Sequence, residues 1–207
     1  MIPVFFCCFV VFLLWLRYEM RTGNQASNEE SDAFWARERE SNFIPKKDIS
    51  KLDYIQVPLA SFPFCDNTTD EKLADLQDKV RASADKKMLN LTGMTNTDLK
   101  FAYGSANYPV LADYDQNFTV FIRNLYAWAK YLHETDKISE ARSLLEFGVS
   151  CRSDISGNYY LLGSIYLKND NLDAFDQLLK QAEDIPGSRK DDILAHLATM
   201  LQDYGLS

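Results

Sequence analysis

Two histidines, four cysteines and a scatter of aspartates are the residues of this 207-residue chain whose types could serve a reaction. His133 falls near the end of a helix-patterned run, where an imidazolium suits the negative end of the helix dipole. His196 lies on the last helical pattern, and neither histidine has a Cys or Ser placed beside it as a nucleophile, so both read as structural. Asp113 and Asp115 have the types for acid/base work, but their place ahead of an apolar run predicts that they cap a helix over 116–133. Asp170, Asp173 and Asp176 are spaced carboxylates that suggest calcium. The loop lacks the central Gly and closing Glu of an EF-hand, which leaves a solvated helix face. Cys65 and Cys151 either form a disulfide, if the domain is exported, or stand as two buried free thiols. Cys7 and Cys8 sit in an apolar run, as membrane-facing filler or as sites of acylation. The chain carries no CxxC or Cys/His zinc spacing, no glycine-rich phosphate loop and no GxSxG elbow. The expectation is a protein without catalytic, cofactor or metal residues.

A second polar cluster is Asn96-Thr97-Asp98-Leu99-Lys100 with Tyr103-Gly104 and Asn107. Its side chains are the kinds that bond backbone, which predicts cap and turn chemistry in a compact connection; a small binding notch is the sharper alternative. Three N-x-S/T sequons, at Asn67, Asn90 and Asn117, matter only in a eukaryotic secretory setting.

Bulk properties narrow the classes. Hydrophobic residues are 46% and aromatics 13% of the chain, enough for a real core. The net charge is −8, all of it beyond the uncharged first sixteen residues. An acidic soluble part argues against nucleic acid and against anionic lipid headgroups as partners. Met1 to Leu16 is almost wholly apolar. As a helix it spans roughly 24 Å, somewhat short of the ~30 Å hydrocarbon core. It lacks a positive n-region and a nearby small-x-small cleavage site, so residues 1–17 are expected to be an uncleaved transmembrane anchor. Arg17 and Arg21 by themselves would hold the following domain in the cytoplasm. Short N-terminal anchors more often display their domain outside, and an extracytoplasmic domain is the reading preferred.

The elements that follow are mainly α. Residues 18–30 read as a tether, the polar run TGNQASNEES covering 22–31; 31–115 read as a helical region with an extended arm, and 116–207 as helical hairpins with a capping helix. Ser31 opens a short helix bearing Phe34 and Trp35. Pro45, Pro58 and Pro63 punctuate the arm, residues 42–64. Its Leu52, Tyr54, Ile55 and Val57 are the only strand-like stretch, expected to lie across the helices and bury Phe43, Ile44, Leu52, Ile55, Phe62 and Phe64. Thr69 starts an amphipathic helix with Leu73, Leu76, Val80 and Ala84 on one face. Thr95 or Asn96 caps a short helix that Gly104 ends, and Pro109 opens another through Ala112. Long helices come next: one with Phe118, Phe121, Ile122, Leu125, Trp128, Ala129 and Leu132, one with Ala141, Leu144, Leu145 and Val149. Helices with Tyr159, Leu162, Gly163 and Tyr166, then Phe175, Leu178 and Ala182, precede a final one with Ile193, Leu194, Leu197 and Leu201.

Leu125, Trp128, Ala129 and Leu132 overlay Tyr159, Leu162, Gly163 and Tyr166 at a shift of 34 residues. A fixed period of that length is the signature of stacked helical hairpins. Residues 122–186 resemble the tetratricopeptide repeat on Leu162, Gly163 and Tyr166, with Ala174 and Pro186 in the second hairpin if its turn is one residue short. Ala129 and Ala141 carry the resemblance in the first, where Ser153 stands in place of Pro. As a whole the chain resembles membrane-anchored bacterial proteins with a repeat-like C-terminal half. The resemblance implies a non-enzymatic module that holds a peptide or protein partner along a helical groove, with no small-molecule substrate. By position it points to Arg123, Tyr126 and Lys130 from one hairpin, and Tyr160, Ser164 and Lys168 from the next. The Lys/Asn pair that clamps a peptide carboxylate in some relatives of that family is replaced by Tyr126 and Lys130. The alternatives are that this strip packs on the arm, that the protein is a structural subunit of an obligate assembly, or that an enzyme site lies in 31–115.

Overall fold

The computed structural model describes residues 2–205, with the side chains of residues 2–5, 7 and 20–30 outside the description. Eight α-helices are described: α1 (Ile2–Ser41), α2 (Glu71–Ala84), α3 (Asn96–Tyr103), α4 (Tyr108–Glu134), α5 (Ile138–Ser150), α6 (Ser156–Lys168), α7 (Leu172–Glu183) and α8 (Lys190–Gly205). No strand occurs among the described residues; residues 53–58 carry no regular structure, and the Ile55 N–H within them donates to Met88 O at 3.1 Å. The chain divides into two compact units, Met1–Lys47 with Asn96–Ala106, and Asp48–Thr95 with Asn107–Ser207. The region expected over 31–115 therefore contributes to both.

In the first unit α1 packs on α3. The backbone of 18–30, expected as a tether, continues the helix; the run holds no proline and a single glycine, so nothing in it forces a break. Among the described residues no helix is long and apolar enough to cross a membrane. The expected anchor over 1–17 falls in part on residues outside the described set. Phe43, expected to be buried, is 85% exposed. Members of the 96–107 cluster bond side chains of α1. The Thr97 hydroxyl donates to Glu38 at 2.5 Å, Lys100 pairs with the same carboxylate, and Arg37 reaches Asp98 at 2.7 Å. The Lys100 hydrogen bond, then that of Thr97, holds the Glu38 carboxyl below its ordinary range. Lys47 donates from its ammonium to the Phe101 and Ala102 carbonyls at the end of α3, where a cation suits the dipole. Gly104 adopts φ 90°, and a Cβ there would run into the Pro45 carbonyl.

The second unit is built on α4. Pro109 suits its first turn, as expected of a proline there. The helix then runs on without interruption to Glu134, so the two helices expected over 109–112 and 116–133 are one, and the boundary expected at 115/116 lies inside it. Asp113 and Asp115 are accordingly mid-helix and cap nothing. Asp115 instead accepts the Leu91 N–H at 3.0 Å. Burial and the nearby Asp154 raise its carboxyl, and the Leu91 N–H works against them. Leu111, Phe118, Phe121, Ile122, Leu125, Trp128, Ala129 and Leu132 are buried along α4, the predicted stripe with one residue more.

Helix α2 is capped by Asp70, one residue beyond Thr69, whose carboxylate accepts the Lys72 and Leu73 N–H groups. The Tyr131 hydroxyl donates to the other Asp70 oxygen at 2.5 Å, tying α4 to that cap. The arm ends in Phe62 and Phe64, which close on fully buried Trp128. Phe64 stacks at 4.8 Å between centroids, and Phe62 meets it edge-on while also touching Phe147 at 5.3 Å. Such aromatic pairs contribute roughly 0.5–1.5 kcal/mol each beyond their area. Buried Gln77 fixes the arm's exit by accepting from the Cys65 N–H at 2.6 Å.

From α4 onward each helix packs on the next, and α6 also touches α4 and α8, as α5 touches α7. The turn after α4 recurs after α6. Thr135 N–H donates to Tyr131 and Leu132, Asp136 to His133, and Lys137 to Leu132. Asn169 donates to Ile165 and Tyr166, Asp170 to Leu167, and Asn171 to Tyr166. Asp136 and Asp170 both take left-handed φ, 63° and 55°. The two turns thus have one length, which corrects the expectation of a shorter second turn. Ala174 does not stand where Ala141 does. Phe175 does: its N–H donates to Asn171 O as that of Ala141 donates to Lys137 O.

Candidate functional site

The six residues of the expected strip are not gathered into one groove. Arg123 and Tyr126 lie together on α4, bordering a cavity of about 310 Å³ that Thr119, Asp154, Ser156 and Arg189 also line. Tyr126 lies over the start of α6, where Gly157 leaves room; a Cβ at 157 would strike the phenol ring. Lys130, one turn on, is exposed and stands 3.9 Å from Glu134. Tyr160 is covered by α8, its ring 3.9 Å from that of His196. The Ser164 hydroxyl is turned to its own helix and donates to Leu161 O at 2.8 Å. Lys168 borders a separate cavity of about 300 Å³ with His133, Asp136 and Asn169. The arm's aromatic end goes to Trp128 and Phe147, on another side of α4 from Arg123 and Tyr126.

The cavity beside Arg123 is charged and hydroxyl-bearing. Arg189 points its guanidinium at Asp154 at 3.8 Å, too long for a hydrogen bond. Arg123 has no ion-pair partner among the described residues. Thr119, Arg123 and Tyr126 reach the same opening because they sit at i, i+4 and i+7 on α4. Asp154 and Arg189 come from the connections before α6 and α8, and the α4 pattern alone could not have found them. Their signal is weak: one charged residue just ahead of each of two later helices.

Other candidate chemistry resolves structurally. Cys65 and Cys151 are both free; Cys151 is buried and Cys65 exposed, so neither the disulfide nor the pair of buried thiols is present. Burial pushes the Cys151 thiol up to about 11, which makes it a poor nucleophile. Asn90 is occupied, its amide donating to the Cys151 and Arg152 carbonyls at 2.9 and 3.0 Å. The Asn117 amide donates to Lys87 O, while Asn67 is exposed in a turn. Burial raises the Tyr159 hydroxyl strongly, and among the described residues it finds no hydrogen-bond partner, nor do Trp128 Nε1 and Asn158 Oδ1. Asp173 and Asp176 are exposed on α7, and Asp170 accepts from the Tyr204 hydroxyl. Among the described residues no group of three His, Cys, Asp or Glu side chains is placed to hold a metal ion. No family model, curated protein or solved structure matches the chain.

Proposed function

We propose that this protein is a non-enzymatic interaction module of the tetratricopeptide-like kind, tethered to a membrane through residues 1–17 with its helical domain on the extracytoplasmic side. It takes a peptide or protein partner on the α4/α6 face. The observation that carries the reading is the turn pattern repeated 34 residues apart, with two left-handed aspartates and the same backbone bonds. The packing order, in which first helices touch first helices and second touch second, favours stacked hairpins over a closed bundle. An exposed apolar run along α1 (Phe9, Val11, Phe12, Leu14, Trp15) favours the tether.

The test is a photo-crosslinking amino acid placed in the full chain in cells, at Arg123 and Lys130 in turn, with Arg142 and Asp176 as outer-face controls. Adducts of one discrete partner from the first two positions alone support the reading. Equal adducts from all four, or none, contradict it. Reporter fusions on either side of residues 1–17 decide the topology.

A further inference from the structure

The Arg123–Arg189 cavity has the chemistry of an anion site, and its size limits what the anion belongs to. At about 310 Å³ it lies at the small end of the ~300–1,000 Å³ of ligand pockets, room for one side chain or chain terminus and not for a nucleotide cofactor. Two guanidiniums border it, one without an ion-pair partner among the described residues and one held only loosely by Asp154, and Thr119, Tyr126, Ile155 and Ser156 complete the lining. Guanidiniums meet carboxylates in bidentate pairs, the strongest class of protein hydrogen bond. The net charge of −8 does not oppose this, because exposed charges beyond a Debye length of ~8 Å are largely screened and the two arginines act at contact.

We infer that this cavity holds a carboxylate of an acidic peptide segment, Arg123 and Arg189 gripping the carboxylate and Tyr126 packing against the peptide. Asp154 is the resident competitor: its carboxylate occupies part of Arg189 until the peptide's displaces it. The inference rests on the peptide-groove reading and names the class of peptide. The carboxylate comes from an Asp or Glu side chain or from a chain terminus.

The experiment uses the full-length protein in neutral detergent and four fluorescent decapeptides of one backbone. Three have blocked termini and carry four Glu, four Gln or four Lys; the fourth is the Gln peptide with a free C-terminus. Anisotropy should give the Glu peptide, or the free-terminus peptide if the terminus is the source, a Kd about tenfold below that of the blocked Gln peptide. Arg123→Gln and Arg189→Gln should each remove most of that preference, a loss of about one charge-assisted bond. Asp154→Asn should tighten binding severalfold. Thermal melts check that the variants remain folded. Equal binding of the Glu, blocked Gln and free-terminus peptides, with Tyr126→Ala weakening all three, overturns the anion assignment and leaves the peptide-binding reading standing. A carboxylate preference, for either peptide, that is unchanged in the double arginine variant overturns it too, as does binding by none of the four.

Discussion

The hairpins α4–α5 and α6–α7 turn in the same way and fill the space behind the turn differently. Both first helices end on a residue whose N–H bonds back three and four residues, followed by an aspartate in left-handed φ. Behind the first turn the corresponding positions are Ala129 and Ala141, both fully buried. Behind the second they are Gly163 and Phe175, and a Cβ on Gly163 would stand 3.1 Å from both Phe175 Cε2 and Leu197 Cδ2. Two small residues in one hairpin correspond to a minimal and a large one in the other. The lesson is that a contact between helices is set by summed volume and not by residue identity at either place.

The largest effect should come from emptying the asymmetric contact. Phe175→Ala is expected to cost about 3–5 kcal/mol, read by chemical denaturation, because a fully buried ring leaves a cavity that α6 and α8 close only in part. Transplanting the second hairpin's filling into the first is the sharper test. Ala141→Phe should cost about 1–3 kcal/mol by overpacking, and Ala129→Gly in the same chain should recover part of it. A double-mutant cycle without positive coupling would mean that 129 and 141 do not face each other as 163 and 175 do.

Much of this frame is legible in the sequence. The spacing of Phe118 through Leu132, and of Tyr159 through Tyr166, predicts the helices and their buried faces because a 3.6-residue period carries that information locally. The place of Ala174 misleads, since a match of residue types tolerates a one-residue slip that backbone bonding at the turn does not. The uninterrupted start of α4 is hidden for a similar reason: Asp113 and Asp115 have capping types, and only the Leu91 N–H, 24 residues away, shows what Asp115 does. The cavity is half legible. Arg123 and Tyr126 follow by position from the tetratricopeptide resemblance, whereas Arg189 and Asp154 reach it only through the stacking of later connections.

The segment 88–93 is the least legible part and separates the two hairpins in another way. Asn90 holds the connection after α5 through two carbonyls, while Gly93 at φ 87° comes within a Cβ's 3.0 Å of Gly187 N in the connection after α7. Asn90→Ala should cost about 1–3 kcal/mol by leaving those carbonyls without their donor. The turn residues give a smaller effect of opposite sign. Asp136→Gly should stabilise by about 1 kcal/mol, since glycine adopts the left-handed conformation without a Cβ penalty. Asp170→Gly should gain less, because the Tyr204 hydroxyl loses its acceptor. Equal gains would remove the distinction between the turns.

The smallest effect concerns pH. The Asp115 carboxyl lies above its ordinary value in the folded chain, so the folded state holds its proton more tightly than the unfolded one. Its contribution to stability therefore improves as pH falls from above the raised value toward the ordinary aspartate value, and worsens as pH rises through that window. Asp115→Asn keeps an acceptor for the Leu91 N–H, and should flatten this component in melts run from pH 7 to pH 4.

The proposed repeat is tested most directly by proton NMR contacts across the two hairpins. The account predicts cross-peaks from the Phe175 ring to the Gly163 α-protons, and from the Ala141 methyl to the Ala129 methyl. Cross-peaks from the Ala174 methyl to Gly163 in place of those from Phe175, or no contact between the two alanines, would contradict it.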